Sequence, residues 1–112
     1  MSKIAHQFLP LTYSTFYILI SLLEPRHGYG IMQKVEELSK GETKLGAGTI
    51  YGALSKLEKQ NLIKKEGKED SERRKSYILT SLGKEVVMLE FARLEQLVRN
   101  GKEYIDELNQ SR

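Results

Sequence analysis

Thr49, Tyr51, Ser55, Lys56 and Lys59 bring two hydroxyls, a phenol and two ammonium groups into one short stretch. At helical spacing Thr49, Gly52, Lys56 and Lys59 form a row at i, i+3, i+7, i+10, flanked by Tyr51 and Ser55 at i, i+4. Hydroxyls and phenols donate to phosphates or base edges, and lysines neutralise phosphates. The plain alternatives are capping by Thr49, packing by Tyr51 and a solvated lysine face. A second cationic group, Arg73-Arg74-Lys75, closes the polar stretch 67–75, partly offset by Glu69, Asp70 and Glu72. Three adjacent cations at a hairpin tip suit phosphates or a narrow minor groove.

Other chemistries find no foothold. His6 and His27 have no partner histidine at ligand spacing, so no metal site is expected. The absence of cysteine excludes disulfides, cysteine zinc sites and a thiol nucleophile. Gly28-x-Gly30 and Gly46-x-Gly48 lack the continuation of a phosphate loop or dinucleotide fingerprint and read as turn glycines. The carboxylates read as scattered along exposed faces, with no pair isolated in an apolar setting. The expectation is a protein that is not an enzyme and has no cofactor.

The elements that must position these groups follow from a chain of 112 residues, the size of one domain. The net charge is only +3, but residues 46–80 hold eight basic and five acidic side chains, a local surplus suited to a polyanion such as DNA. The longest apolar stretch, 11–23, carries Thr12, Ser14, Thr15 and Ser21 and is too short to cross a bilayer. The N-terminus shows no signal-peptide pattern, so a cytoplasmic location is expected.

Residues 8–23 read as a helix apolar almost all round, wanting cover on more than one side. The signal Pro25-Arg26-His27-Gly28 reads as a turn. A second helix over about 29–39 has the stripe Ile31, Val35, Leu38, and Gly41 is placed to stop it. A third, about 49–60, has the inward stripe Ile50, Leu54, Leu57. Two strands follow, 62–66 and 76–80, then a long helix over about 81–109. Val87, Phe91, Leu94, Val98, Ile105 and Leu108 repeat at 4,3,4,3 spacing if Gly101 fills the missing place. Few other residues remain to cover that seam, so its expected cover is a second copy of the chain. The fold class is mostly α with a small β-hairpin (α+β): a winged helix-turn-helix over 1–80, with recognition helix 49–60 and wing 62–80, plus a C-terminal dimerisation helix over 81–112.

Five stretches together resemble one known family: Phe16-Tyr17-Ile18-Leu19, His27-Gly28-Tyr29-Gly30-Ile31, Gly48-Thr49-Ile50-Tyr51, Leu54-x-x-Leu57-Glu58 and Arg73-Arg74-Lys75-x-Tyr77-x-Leu79-Thr80-x-x-Gly83. Spanning about residues 8–83 in this order, they resemble the PadR-type transcriptional regulators, in the short form with a single C-terminal helix. One departure is Ala47, where relatives often carry proline. The resemblance implies a homodimeric repressor on a near-palindromic operator. Thr49, Tyr51, Ser55, Lys56, Lys59, Arg73, Arg74 and Lys75 would touch double-stranded DNA. Phe16 and the seam from Val87 to Leu108 would form the dimer. Some relatives bind planar aromatic compounds between subunits; lacking tryptophan, this chain could offer such an effector Phe16, Phe91 and Leu94. The competing readings are a winged helix that binds protein and no DNA, and a non-specific architectural DNA binder.

Overall fold

The computed structural model describes residues 3–67 and 75–111. In order they form α1 (Lys3–His6), α2 (Tyr13–Ser21), β1 (Arg26–His27), α3 (Gly28–Leu38), α4 (Ala47–Lys59), β2 (Ile63–Glu66), β3 (Ser76–Leu79) and α5 (Ser81–Gln110).

The helix expected over 8–23 is broken. Pro10 has no N–H to give and disfavours helical geometry in the residue before it. The chain therefore turns between α1 and α2. Thr12 starts α2 as its N-cap, its hydroxyl oxygen accepting from the Thr15 N–H at 3.2 Å. Within the single chain Ile18, Leu19 and Leu22 are buried, while Tyr13 and Leu23 are exposed.

Gly28 and Gly30 lie inside α3 and Gly48 inside α4, not in turns. α4 begins two residues before Thr49, with Gly46 as its N-cap, so Thr49 is not the capping residue. Gly41, at φ 82°, sends its N–H back to the Glu36 carbonyl at 2.8 Å and closes α3.

The hairpin gains a third strand that the sequence reading took for a turn. The sheet order is β1-β3-β2, all antiparallel, with Arg26 opposite Tyr77 and Ile63 opposite Leu79. Two residues carry no periodicity, so β1 is defined by its partner strand alone. His27 Nδ1 and the Ser76 hydroxyl meet across this pair at 3.1 Å. β2 starts one residue later than expected and β3 ends one residue earlier, while their ends at Glu66 and Ser76 are as expected.

The core lies where α2, α3 and α4 meet the sheet, and includes Leu19, Ile31, Val35, Ile50, Leu54 and Ile63. Each such side chain contributes about 1.5–3 kcal/mol on burial. Thr80 is where the hairpin becomes α5. Its hydroxyl accepts from the Gly83 N–H at 3.0 Å and donates to the Asn61 carbonyl at 2.6 Å, while its own N–H reaches the Leu62 carbonyl at 3.1 Å. Gly83 fits against that carbonyl because it has no side chain: a Cβ there would stand 2.1 Å from the Leu62 oxygen. The buried residues of α5 are Gly83, Val86 and Glu90. The whole helix has 30 residues, roughly 45 Å at the helical rise, and the part after Glu90 runs out from the body.

A candidate nucleic-acid interface and the long helix beside it

α4 is two-faced. Ile50, Leu54 and Leu57 anchor one side in the core. On the opposite side Gly48, Gly52, Ser55 and Lys59 form a row at i, i+4, i+7, i+11, and all are exposed. Thr49 and Lys56 flank the row on one edge and Tyr51 on the other, and these three are exposed too. The five residues expected on this helix therefore share one outward surface. Its two glycines leave the middle bare, with no atom within 4 Å of a Cβ placed at either. A phosphate or base edge could come close to the helix backbone there. The single carboxylate of α4, Glu58, is half-buried and pairs with Lys65 at 3.8 Å, so it does not offset the outward cations.

Tyr51 does more than face outward. Its ring covers Gly28 at the start of α3, where a Cβ would stand 2.8 Å from the phenol carbons and oxygen. The packing role and exposure coexist: the hydroxyl end of the ring lies over Gly28 while about half of the residue stays open to solvent. Gly28, the second residue of the His27–Ile31 motif, was the available signal, but nothing in the spacing ties it to position 51.

Of the cations expected in the wing, Lys75 is half-buried at the entry to β3. Arg73 and Arg74 lie outside the described residues. Lys64 and Lys65 of β2 are exposed, on opposite faces of the strand.

The 4,3,4,3 series on α5 is exposed apolar surface along most of its length. Phe91, Val98, Ile105 and Leu108 are more than half exposed, and Val87 and Leu94 are half-buried. Leu97 and Tyr104, one residue before Val98 and Ile105, are exposed as well and widen the stripe. Gly101 has open space on its Cβ side. Half-buried Phe16 reaches the same side from α2: with Phe91, Leu94, Glu95, Val98 and Arg99 it lines an open groove of about 380 Å³. The three residues assigned to an effector are thus neighbours.

Glu90 overturns the expectation that the carboxylates stay on exposed faces. Its side chain is 2% exposed. Oε2 accepts the Leu11 N–H at 2.8 Å and an Arg93 Nη2 hydrogen at 3.2 Å, and Oε1 accepts from Arg93 Nε. Burial pushes the Glu90 pKa up, but the Arg93 hydrogen bonds, the Leu11 N–H and the Arg93 charge outweigh it and hold the carboxyl below its ordinary range. The pair ties α5 to the turn between α1 and α2. The i, i+3 spacing of Glu90 and Arg93 was visible in the sequence; the burial was not, because the seam series runs through the neighbouring positions 87, 91 and 94.

No helix among the described residues is long and apolar enough to cross a membrane. No group of three or more His, Asp or Glu side chains among them could hold a metal ion.

Helices packed on a small three-stranded sheet, with an exposed helix beside the hairpin and a long terminal helix, define a winged helix-turn-helix protein. Residues 17–88 match the Transcriptional regulator PadR-like family, and the chain belongs to that family of transcriptional regulators. Among solved structures it is similar to a PadR family transcription regulator from Clostridium difficile R20291. The two are 32% identical, with a TM-score of 0.68, over 84% of this chain and 99% of that one. It is also similar to H. salinarum RosR in the hsRosR-S1 complex, at 25% identity and a TM-score of 0.66, over 96% of this chain and 93% of that one. A curated relative, an uncharacterized 37.1 kDa protein in transposon TN4556 of Streptomyces fradiae, is 35% identical over 92 residues. The match takes in 75% of this chain and about a quarter (26%) of that protein.

Proposed function

We propose that the chain is a sequence-specific DNA-binding repressor acting as a homodimer on a near-palindromic operator. The observation that carries this reading is the outward face of α4: exposed hydroxyls, a phenol and two lysines, opposite three buried aliphatic anchors and with no exposed carboxylate among them. In this reading α4 enters the major groove, with Thr49, Tyr51 and Ser55 toward base edges and Lys56 and Lys59 on phosphates. Arg73, Arg74 and Lys75 follow the backbone or minor groove. Residues 1–80 make the DNA-binding unit and 81–112 the dimerisation helix. The exposed row Phe91, Val98, Ile105 and Leu108 supports a second copy as its cover. The two α4 helices would then read half-sites about 34 Å apart. A small aromatic effector held by Phe16, Phe91 and Leu94 would release the operator.

The deciding experiment is a gel-shift titration on the DNA upstream of the chain's own gene, beside a scrambled duplex, at two salt concentrations. The expected result is a preference of about a hundredfold or more, with affinity falling steeply as salt rises. Arg74→Ala should weaken binding to both duplexes alike and flatten the salt slope by about one. Equal weak binding to both duplexes would favour the architectural reading. No binding at low salt would favour the protein-interaction reading.

A further inference from the structure

A second groove, about 190 Å³, lies between the α1–α2 turn and the inner edge of α4. Its apolar lining comes from Phe8 and Leu11 on one side and Ala53, Leu57 and Leu62 on the other. Its polar lining is Thr12, Thr15, Lys56 and Gln60. There is no carboxylate in that set. The other three grooves described on the molecule each include a glutamate: Glu24, Glu95 or Glu107.

The donors here are also uncommitted. The Thr12 hydroxyl accepts from the Thr15 N–H and donates to the Thr15 oxygen, which leaves the Thr15 hydroxyl hydrogen for another acceptor. Among the described residues Lys56 forms no ion pair, and Gln60 adds an amide that can donate. The wall is held firmly, since the Leu11 N–H is fixed by buried Glu90. A recess with an apolar lining and three donors but no negative charge is complementary to one small apolar anion. A dry apolar cavity of about 150 Å³ holds a benzene molecule. A space of 190 Å³ therefore suits a body of that size carrying one carboxylate.

We propose that this groove binds a small monocarboxylate with a short apolar tail, and that the carboxylate takes Lys56. None of the lining residues belongs to the α5 seam, so the site is separate from the groove at Phe16, Phe91 and Leu94. Its regulatory consequence rests on the DNA-binding reading: Lys56 cannot serve a ligand carboxylate and a DNA phosphate at once, so ligand and operator compete. Ligand binding itself does not depend on that reading.

The test is a titration of the isotope-labelled whole chain, without DNA, followed by amide chemical shifts. The probes are hexanoate, 1-hexanol and hexylammonium. The expected result is saturable shifts at Leu11, Thr15 and Ala53 with hexanoate. Hexanol should bind about fivefold more weakly, the upper end for a solvent-exposed ion pair, and hexylammonium more weakly still. Lys56→Met should reduce hexanoate to the level of hexanol, and Ala53→Leu, which fills the recess, should abolish both. Circular dichroism checks that each variant is folded. Equal affinity for hexanoate and hexanol overturns the proposal, as does the absence of saturable shifts or their appearance at Phe91 and Val98 instead. In a gel shift, hexanoate should then weaken operator binding and lower the salt slope by about one, as loss of one phosphate contact does. Hexanoate binding that leaves operator affinity unchanged would overturn the competition. A chain that binds no DNA at all would overturn the DNA-binding reading and leave the amide titration to decide the site.

Discussion

Replacing Gly83 by alanine should be among the most damaging single-methyl additions in the molecule. The new Cβ would stand 2.1 Å from the Leu62 carbonyl oxygen and 2.9 Å from Leu79 Cδ2. The first neighbour is backbone, so it cannot rotate away; α5 or the start of β2 must move by about 1 Å, in a packed interior that gives little. Overpacking of this kind costs about 1–3 kcal/mol, and a clash with backbone belongs at the top of that range. The same carbonyl accepts the Thr80 N–H, a bond worth about 1 kcal/mol that the movement strains. Part of this is offset by alanine's better helix propensity, leaving a net loss of about 3 kcal/mol. For a chain of this size that lowers Tm by about 12 °C. The control is the same substitution eighteen residues on. Gly101 has open space around it, so Gly101→Ala should stabilise by up to about 1 kcal/mol.

The assay is thermal and urea unfolding of both variants at one fixed chain concentration, since self-association would make Tm depend on concentration. If Gly83→Ala falls within about 1 kcal/mol of Gly101→Ala, the steric argument at the Thr80 junction is wrong. If Gly101→Ala is itself strongly destabilising, a partner helix passes within a methyl group of position 101, as a close crossing of two α5 helices requires.

Three further outcomes are expected. Glu90 titrates below the ordinary carboxyl range when folded, so the unfolded chain binds the proton more readily. Its contribution is therefore present above about pH 4.3 and lost as pH falls through the folded value, and urea midpoints from pH 3 to 7 should show an acid-side drop that Glu90→Gln reduces. Ala47→Pro should stabilise by about 0.4–1 kcal/mol in urea unfolding, because Ala47 opens α4 and Gly46 before it, at φ −77° and ψ 166°, already has the conformation a proline demands. Gly28→Ala should change stability by less than about 1 kcal/mol, since the atoms it meets are the movable end of Tyr51, yet it should weaken operator binding in the gel shift because Tyr51 is displaced from α4's outward face.

What the sequence disclosed and what it concealed divide along one physical line. Patterns that repeat were legible. The Ile50, Leu54, Leu57 stripe placed the outward face of α4, and the 4,3,4,3 series placed the exposed stripe of α5. Features fixed by a distant partner were not. β1 is two residues long and exists because β3 lies beside it. The break at Pro10 could have been found from local chemistry alone, since a proline disfavours helical geometry in the residue before it, and Thr12 just after it is a ready N-cap. The apolar run outweighed that signal and joined two segments the backbone separates.

Glu90 is the more instructive case. α5 carries two stripes: 91, 94 and 98 face outward, with half-buried Val87 at their root against the core, while 83, 86 and 90 face the body. A stripe of glycine, valine and glutamate has no hydrophobic signature, because each residue is there for a different reason. Gly83 is needed for close approach, Val86 for packing, and Glu90 to accept a backbone N–H that the Pro10 turn leaves without a helical partner. The same turn that broke the expected helix thus requires the buried carboxylate. Leu11, fixed by it, in turn forms the wall of the recess beside α4. One proline therefore links the start of the chain, the long helix and the proposed ligand site, and a substitution of Glu90 should disturb hexanoate binding as well as acid stability.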